Sequence, residues 1–274
     1  MHTVLELSQF NADLYLCMVD LNHLLLDINH NSLYSQLITN LIRMTEPTTP
    51  DSCLHCLQKC DAFQALSHTE MEILHEAKYD TAYRTGEVIA KQGAPISHLV
   101  SLNEGLVKVV LETPGEQDII ISIEKPVFIL TGPGLFVDNR YHFSVIAISE
   151  CRTCYLEIQQ LHRLIDTNPD FAKRFYKNMG ERDILLFNRI RSLNQKNMAG
   201  RISEALLNLQ KLIFETNPFD FILTRQELGE FTGMTKESVS RILKEFREEG
   251  LIEIDDRKVE ILDFDKLRDI SRKG

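Results

Sequence analysis

Two groups of residues in this sequence are of types that do chemistry: cysteines crowded at two places, and a run of charged and hydroxyl side chains near the C-terminus. Cys53, Cys56 and Cys60 fall within eight positions, Cys151 and Cys154 lie three apart, and Cys17 stands alone. Six cysteines in 274 residues are too few for a disulfide scaffold, so in a reducing compartment the clusters point to metal, iron–sulfur or redox chemistry. Four thiolates bind zinc tetrahedrally, and His55 or His75 could replace one of them. A 4Fe–4S cluster draws on the same atoms, usually two or three thiolates from one flexible loop and one from a distant element. Cys53, Cys56 and Cys60 supply three from a loop. The residues alone leave open a cluster, zinc, a thiol–disulfide switch and inert thiols.

The second group begins at Thr224. Thr224 with Glu227 three residues on is a capping box, which starts a helix carrying Leu228 and Phe231 inward. That helix stops at Thr232-Gly233-Met234, and Thr235 caps a second one bearing Val239, Ile242, Leu243 and Phe246. A helix, a short glycine-containing turn and a second helix form the helix-turn-helix plan. Off the apolar stripe lie Lys236, Glu237, Ser240, Arg241 and Lys244, all base-reading types in a major groove: Arg donates twice to guanine and Glu accepts from cytosine. The competing reading is a surface ion pair between Glu237 and Arg241, one turn apart. Past Gly250, Leu251–Ile254 and Lys258–Ile261 flank Asp255-Asp256-Arg257 as a hairpin wing.

These groups need elements to hold them. With 43% hydrophobic and 26% charged residues, the chain suits about two globular domains. Thirty basic against forty acidic residues leave a net charge of −10, which disfavours diffuse polyanion binding and leaves nucleic-acid recognition to a local motif. No apolar stretch approaches the roughly 18 residues of a membrane span, and no basic leader opens the chain, so a cytoplasmic protein without a membrane partner is expected. No nucleophile–base pair stands out and Gly132-Pro133-Gly134 is too short to cradle a phosphate, so an enzyme is not expected.

Residues 1–43 are leucine-rich and read as one or two amphipathic helices, and 44–52, with Pro47 and Pro50, as a linker. Residues 1–50 are therefore expected to be an N-terminal extension. One hypothesis starts native translation at Met44, which the intact mass of the native protein decides. From Tyr79 to Glu157, short β-branched runs punctuated by glycine predict a sandwich or jelly roll, placing a cysteine loop and β-roll in 51–166. After Asn168-Pro169, Phe171, Phe175, Met179, Leu186, Ile190 and Leu193 recur near every 3.5 residues, interrupted at Glu181-Arg182-Asp183. That spacing predicts a long helix over 167–197 whose stripe buries against a partner. The helix-turn-helix and wing occupy 198–274, completing an α+β chain.

The order β-roll, long helix, winged helix, with Thr224-Arg225-Gln226-Glu227-Leu228-Gly229 and Glu237-Ser238-Val239-Ser240-Arg241-Ile242-Leu243, closely resembles the CRP/FNR family of bacterial transcription regulators, over roughly Cys53 to Asp269. The resemblance implies an N-terminal β-roll (cupin-like jelly roll) sensor domain, a homodimer through the long helix, and RNA polymerase as a further partner. It also implies double-stranded DNA contacted at a pseudo-palindromic site by Thr224, Arg225, Gln226, Thr235, Lys236, Glu237, Ser240, Arg241 and Lys244. The Glu-x-x-Ser-Arg arrangement of Glu237, Ser240 and Arg241 is similar to the FNR branch, which implies half-sites like TTGAT. The CRP branch normally carries Arg where Lys236 stands.

Cyclic-nucleotide members of the family carry a Gly-Glu and an Arg-Ser or Arg-Thr cassette. Residues 131–144 have a glycine turn but neither that Glu nor that pair, and Arg140 reads as a loop arginine, so no cyclic nucleotide is expected. The FNR likeness implies a 4Fe–4S cluster on Cys53, Cys56, Cys60 and Cys154, with a shorter gap before Cys60 than the family pattern has. Residues three apart on a strand face opposite ways, so Cys151 is the spare. An oxygen- or redox-responsive regulator follows, with Asp183 in the interrupted stripe supplying like-charge repulsion across the dimer. The alternative is a regulator sensing haem or nitric oxide, thiol oxidation or a small ligand, with structural or zinc-binding cysteines. None of the nine histidines is marked out as a haem ligand.

Overall fold

The computed structural model describes residues 60–274; the expected N-terminal helices, the linker, Cys17, Cys53 and Cys56 lie outside the described residues. The glycine-punctuated runs build two four-stranded antiparallel sheets. One has the order β1 (Lys78–Tyr83), β8 (Cys151–Glu157), β3 (His98–Glu104), β6 (Phe128–Leu130). The other runs β2 (Val88–Ala90), β7 (Ser144–Ala147), β4 (Val107–Leu111), β5 (Ile119–Glu124). Between the sheets Val100, Leu102, Val107, Phe128, Leu130 and Val145 close the interior of the roll. Gly105 turns β3 into β4 at φ +87°, where a Cβ would sit 2.1 Å from the Glu150 carbonyl and 2.7 Å from Cys151 Sγ. Only glycine lets β8 pass that close.

The outer face of the first sheet is covered by helices. α1 (His68–Glu76) opens on a capping box between Ser67 and Glu70, and α2 (Ile158–Thr167) follows β8. α3 (Pro169–Gln195) starts where Asn168 accepts the Phe171 N–H at 3.0 Å and Pro169 occupies the first turn.

The apolar stripe of α3 divides, which corrects the single partner-facing seam expected from its spacing. Phe171 and Phe175 are wholly buried in the roll's own core, with Phe63 edge-on to Phe171 at 5.5 Å. Each such ring contributes about 1.5–3 kcal/mol by leaving water. From Ile184 onward the helix leaves that core, and Ile184, Leu185 and Phe187 are 60%, 60% and 68% exposed. Periodicity alone cannot separate burial against the same chain from burial against another.

The C-terminal domain holds α4 (Met198–Asn208), a π-helical turn (Leu209–Phe214), β9 (Phe219–Asp220), α5 (Arg225–Thr232) and α6 (Lys236–Glu248), then β10 (Ile252–Asp255), β11 (Lys258–Ile261) and α7 (Phe264–Lys273). β10 and β11 pair from Ile252↔Ile261 to Asp255↔Lys258, so the hairpin read from the sequence turns on Asp256 and Arg257 alone, with Asp255 in the strand, and β9 adds a third strand on β11. Ile202, Leu206, Leu228, Val239, Ile252 and Val259 form the core of this domain. Among the described residues no helix is long and apolar enough to cross a membrane.

Candidate functional site

The helix-turn-helix is built as its residues dictate. Thr224 accepts the Glu227 N–H at 3.1 Å and Glu227 accepts the Thr224 N–H at 2.8 Å, so these two backbone donors at the start of α5 are satisfied. Gly233 at φ +65° ends α5, and Thr235 caps α6 by accepting from Ser238 N–H. Val239, Ile242, Leu243 and Phe246 point into the core, which leaves Lys236, Glu237, Ser240, Arg241 and Lys244 on the exposed face.

The ion pair weighed in the sequence does not form. Arg241 donates to Glu245 at 2.8 Å, and Lys244 lies 3.6 Å from Glu248. The Glu237 carboxyl instead sits at the N-terminus of α6, where its own backbone N–H and the Thr235 hydroxyl hold it below the usual carboxylate range. Ser240 donates to the Lys236 carbonyl at 2.8 Å. Thr224 and Gln226 are exposed, whereas Arg225 is half-buried over the Phe221 ring at 5.1 Å, with one guanidinium nitrogen enclosed. Turning Arg225 toward a phosphate means leaving that ring.

Two contacts join the roll to this motif and could not be seen in the sequence, their partners lying 119 and 117 positions apart. Lys108 on β4 donates to Glu227 at 2.7 Å, and Gln117, in the β4–β5 turn, reaches the Met234 carbonyl at 3.5 Å. Burial opposes ionisation of Glu227, but Lys108 and the Thr224 amide and hydroxyl outweigh it and hold the carboxyl below its ordinary range. The same carboxylate thus caps α5 and tethers it to the sensor strand. Lys108→Met is expected to cost about 1–2 kcal/mol in urea unfolding, because it strands a half-buried carboxylate. Glu227→Gln in the same chain should recover part of that loss; two losses that simply add would show that the tether does not exist.

Two of the three described cysteines fall on opposite faces of one strand. Cys151 and Cys154 on β8 are both buried. Thr153 and Leu102 line the roll interior, so Cys151 shares that inner face by alternation, and its Sγ donates toward the Leu106 and Ser149 carbonyls at 3.3 Å each. Cys154 faces the helical side. It pairs with Ser101, which pairs with Ile129, placing Cys154 about 10 Å across the same face from Ile129.

Cys60 lines a small pocket with Ile129 and with Phe175, Asn178 and Arg182 of α3, and Asn178 donates toward its Sγ at 3.9 Å. Cys60 and Cys154 therefore occupy one layer between sheet and helices, and Cys60 touches the long helix. Burial pushes the Cys60 thiol above its ordinary value, against the pull of the Ala62 and Phe63 amides and the Arg182 charge. Arg182 in turn stacks on Phe128 at 4.1 Å and lies 3.8 Å from Glu124 on β5.

A cavity of about 370 Å³ lies between the roll and α3, lined by Val109, Leu111, Gly132, Phe143, Arg182 and Asp183 among others. The arginine singled out nearby takes no part in it: Arg140 donates to the Gly93 carbonyl at 2.7 Å. Next to it Asp138 lies 3.1 Å from His142.

With this geometry in view the comparisons with known proteins are specific. Residues 200–270 match the Crp-like helix-turn-helix domain and residues 80–168 the cyclic nucleotide-binding domain. The chain belongs to the CRP/FNR family. As a CRP/FNR protein it is a DNA-binding transcription regulator. It is 24% identical to the transcriptional regulatory protein btr of Bordetella pertussis, over 82% of this chain and 96% of that one. It is 25% identical to the transcriptional activator protein anr of Pseudomonas aeruginosa, over 73% and 83%. Among solved structures, FixK2 from Bradyrhizobium japonicum shares the fold with a TM-score of 0.65 and 16% identity, covering 70% of this chain and 96% of that one. The family's two domain types thus coincide with the roll and the winged domain found here.

Proposed function

We propose that this CRP/FNR regulator binds a palindromic, FNR-like DNA site as a homodimer and does so under control of a 4Fe–4S cluster held by Cys53, Cys56, Cys60 and Cys154. The observation that carries the reading is the position of Cys60, in the same layer as Cys154, with Asn178 of the long helix donating toward its Sγ and Arg182 bordering the same pocket. Cys60 and Cys154 fit as ligands: both are buried in the layer between the first sheet and the helices. When bound, the cluster supplies an oxygen-labile covalent tie between the cysteine loop and the roll.

The chain's own residues do the rest. Cys60 must give up its proton to serve as a thiolate, which its burial disfavours until a metal site compensates. Arg182 carries the state of the Cys60 layer into α3 and on to Glu124 of β5. The exposed run Ile184–Phe187, continued by Ile190, is the surface that a second copy covers. The coupling must be differential, since a ligand that binds both helix arrangements equally shifts nothing. Two recognition helices then face half-sites one turn apart, with Arg241 and Glu237 reading bases. RNA polymerase is the further partner, and the protein acts in the cytoplasm.

Asp183, exposed on α3 next to the apolar run, supplies the repulsion that keeps the cluster-free dimer weak. Asp183→Ala is expected to raise DNA binding in air by about fivefold, the size of one relieved surface charge pair. Fluorescence anisotropy with an operator duplex, in air and under anaerobic conditions, measures this, and an unchanged ratio of the two affinities would refute the role of Asp183. A second reading rests on the cavity of about 370 Å³: a small apolar effector there, with the cysteines purely structural.

A further inference from the structure

A second cavity, of about 300 Å³, lies where three parts of the molecule meet: strand β5 of the roll, the C-terminal half of α3, and α4 with its π-helical turn. Arg189 borders it. Among the described residues, neither Nε nor Nη2 of Arg189 has a hydrogen-bond acceptor, although both are buried. Glu204, whose charge favours the guanidinium, is itself engaged: it accepts from Lys196 at 2.9 Å and from Ser192. Arg189 instead lies over the Phe231 ring at 4.5 Å, and burial pulls it down to about 10, with Arg201 adding like charge. A desolvated guanidinium with two unused donors is costly unless something pairs with it.

The other walls say what that would be. Leu185, Leu209, Leu212 and Ile213 are apolar, and Asn188 and Asn208 are neutral amides. Glu124 and Glu204 also border the space, which disfavours a dianion. The π-helical turn widens the backbone on the side that lines the cavity, a local departure that concentrates at functional sites.

We propose that this junction is a binding site for a small organic monocarboxylate with an apolar tail, which pairs with Arg189 as the guanidinium swings its enclosed Nε and Nη2 from the Phe231 ring toward the cavity. The site needs none of the cysteines, so it stands apart from the reading above. Because its walls belong to the roll, the long helix and the DNA-binding domain, an occupant adds contacts that fix their mutual orientation, as a small-molecule effector of DNA binding.

The test is calorimetric titration of the full-length protein with straight-chain monocarboxylates from acetate to octanoate, and with the matching primary amides. Saturable binding of the acids is expected, tightening about three- to fourfold per added CH₂ until the cavity is full. Arg189→Gln should weaken it at least about tenfold. Leu212→Trp, from a half-exposed position in the wall, should block it without touching the cation, which guards against a folding defect in the arginine variant. Equal binding of the amides, unchanged affinity in Arg189→Gln, or no saturation by any acid up to about 10 mM would overturn the proposal.

Discussion

Arg241→Ala is expected to weaken selective operator binding by roughly 30-fold or more while leaving the fold and weak non-specific binding in place. Arg241 is exposed on α6 and pairs with Glu245, so the free protein loses a surface pair worth less than about 1 kcal/mol. In the groove the same fork makes two hydrogen bonds to one guanine, worth about 1–3 kcal/mol of discrimination per half-site. Two half-sites at the lower end amount to about 2 kcal/mol, a loss of roughly 30-fold in affinity, and more at the upper end. Arg241→Lys keeps the charge but not the fork and should behave nearly as badly. Lys244→Ala, in contrast, should weaken all sequences alike and reduce the salt slope by about one counterion per half-site. Mobility shift with operator and scrambled duplexes at two salt concentrations separates these outcomes. Equal losses on both duplexes for Arg241→Ala would mean that this side chain contacts phosphate.

The second large effect divides the two cysteines of β8. Cys154→Ser is expected to remove the difference between anaerobic and aerobic DNA binding, with little change in urea unfolding of the aerobic protein. Cys151→Ser should do the reverse. Its Sγ sits against Gly105 inside the roll, where a hydroxyl is costlier to bury, and a loss of about 1–2 kcal/mol is expected with the oxygen response intact. A structural zinc site would give another pattern: Cys154→Ser would then unfold the protein, because the metal's binding energy would be part of its folding energy.

The sequence was most legible where a local rule sufficed. Thr224 with Glu227 announced α5, Gly233 its end, and the exposed face of α6 followed from four buried residues at helical spacing. The alternation rule put Cys151 and Cys154 on opposite faces before any fold was in view. Less legible were features that depend on chain segments meeting in space. The stripe of α3 read as one seam, yet Phe171 and Phe175 belong to the roll and only the later residues to an open surface. α7 passed unread because its signal, an Asp263 cap with Leu267 and Ile270 inward, covers barely three turns. The tether from Lys108 to Glu227, the Arg182 link and the unpaired Arg189 join distant positions, and nothing local marks any of them.

The most direct test of cluster-gated DNA binding is the ultraviolet–visible spectrum of anaerobically purified protein, with iron and acid-labile sulfide counted before and after exposure to air. The account predicts a broad visible absorption that bleaches in air, about four iron and four sulfide per chain at the start, and loss of operator binding in step with the bleaching. A colourless protein that holds no iron and binds its operator equally well with and without oxygen would contradict it.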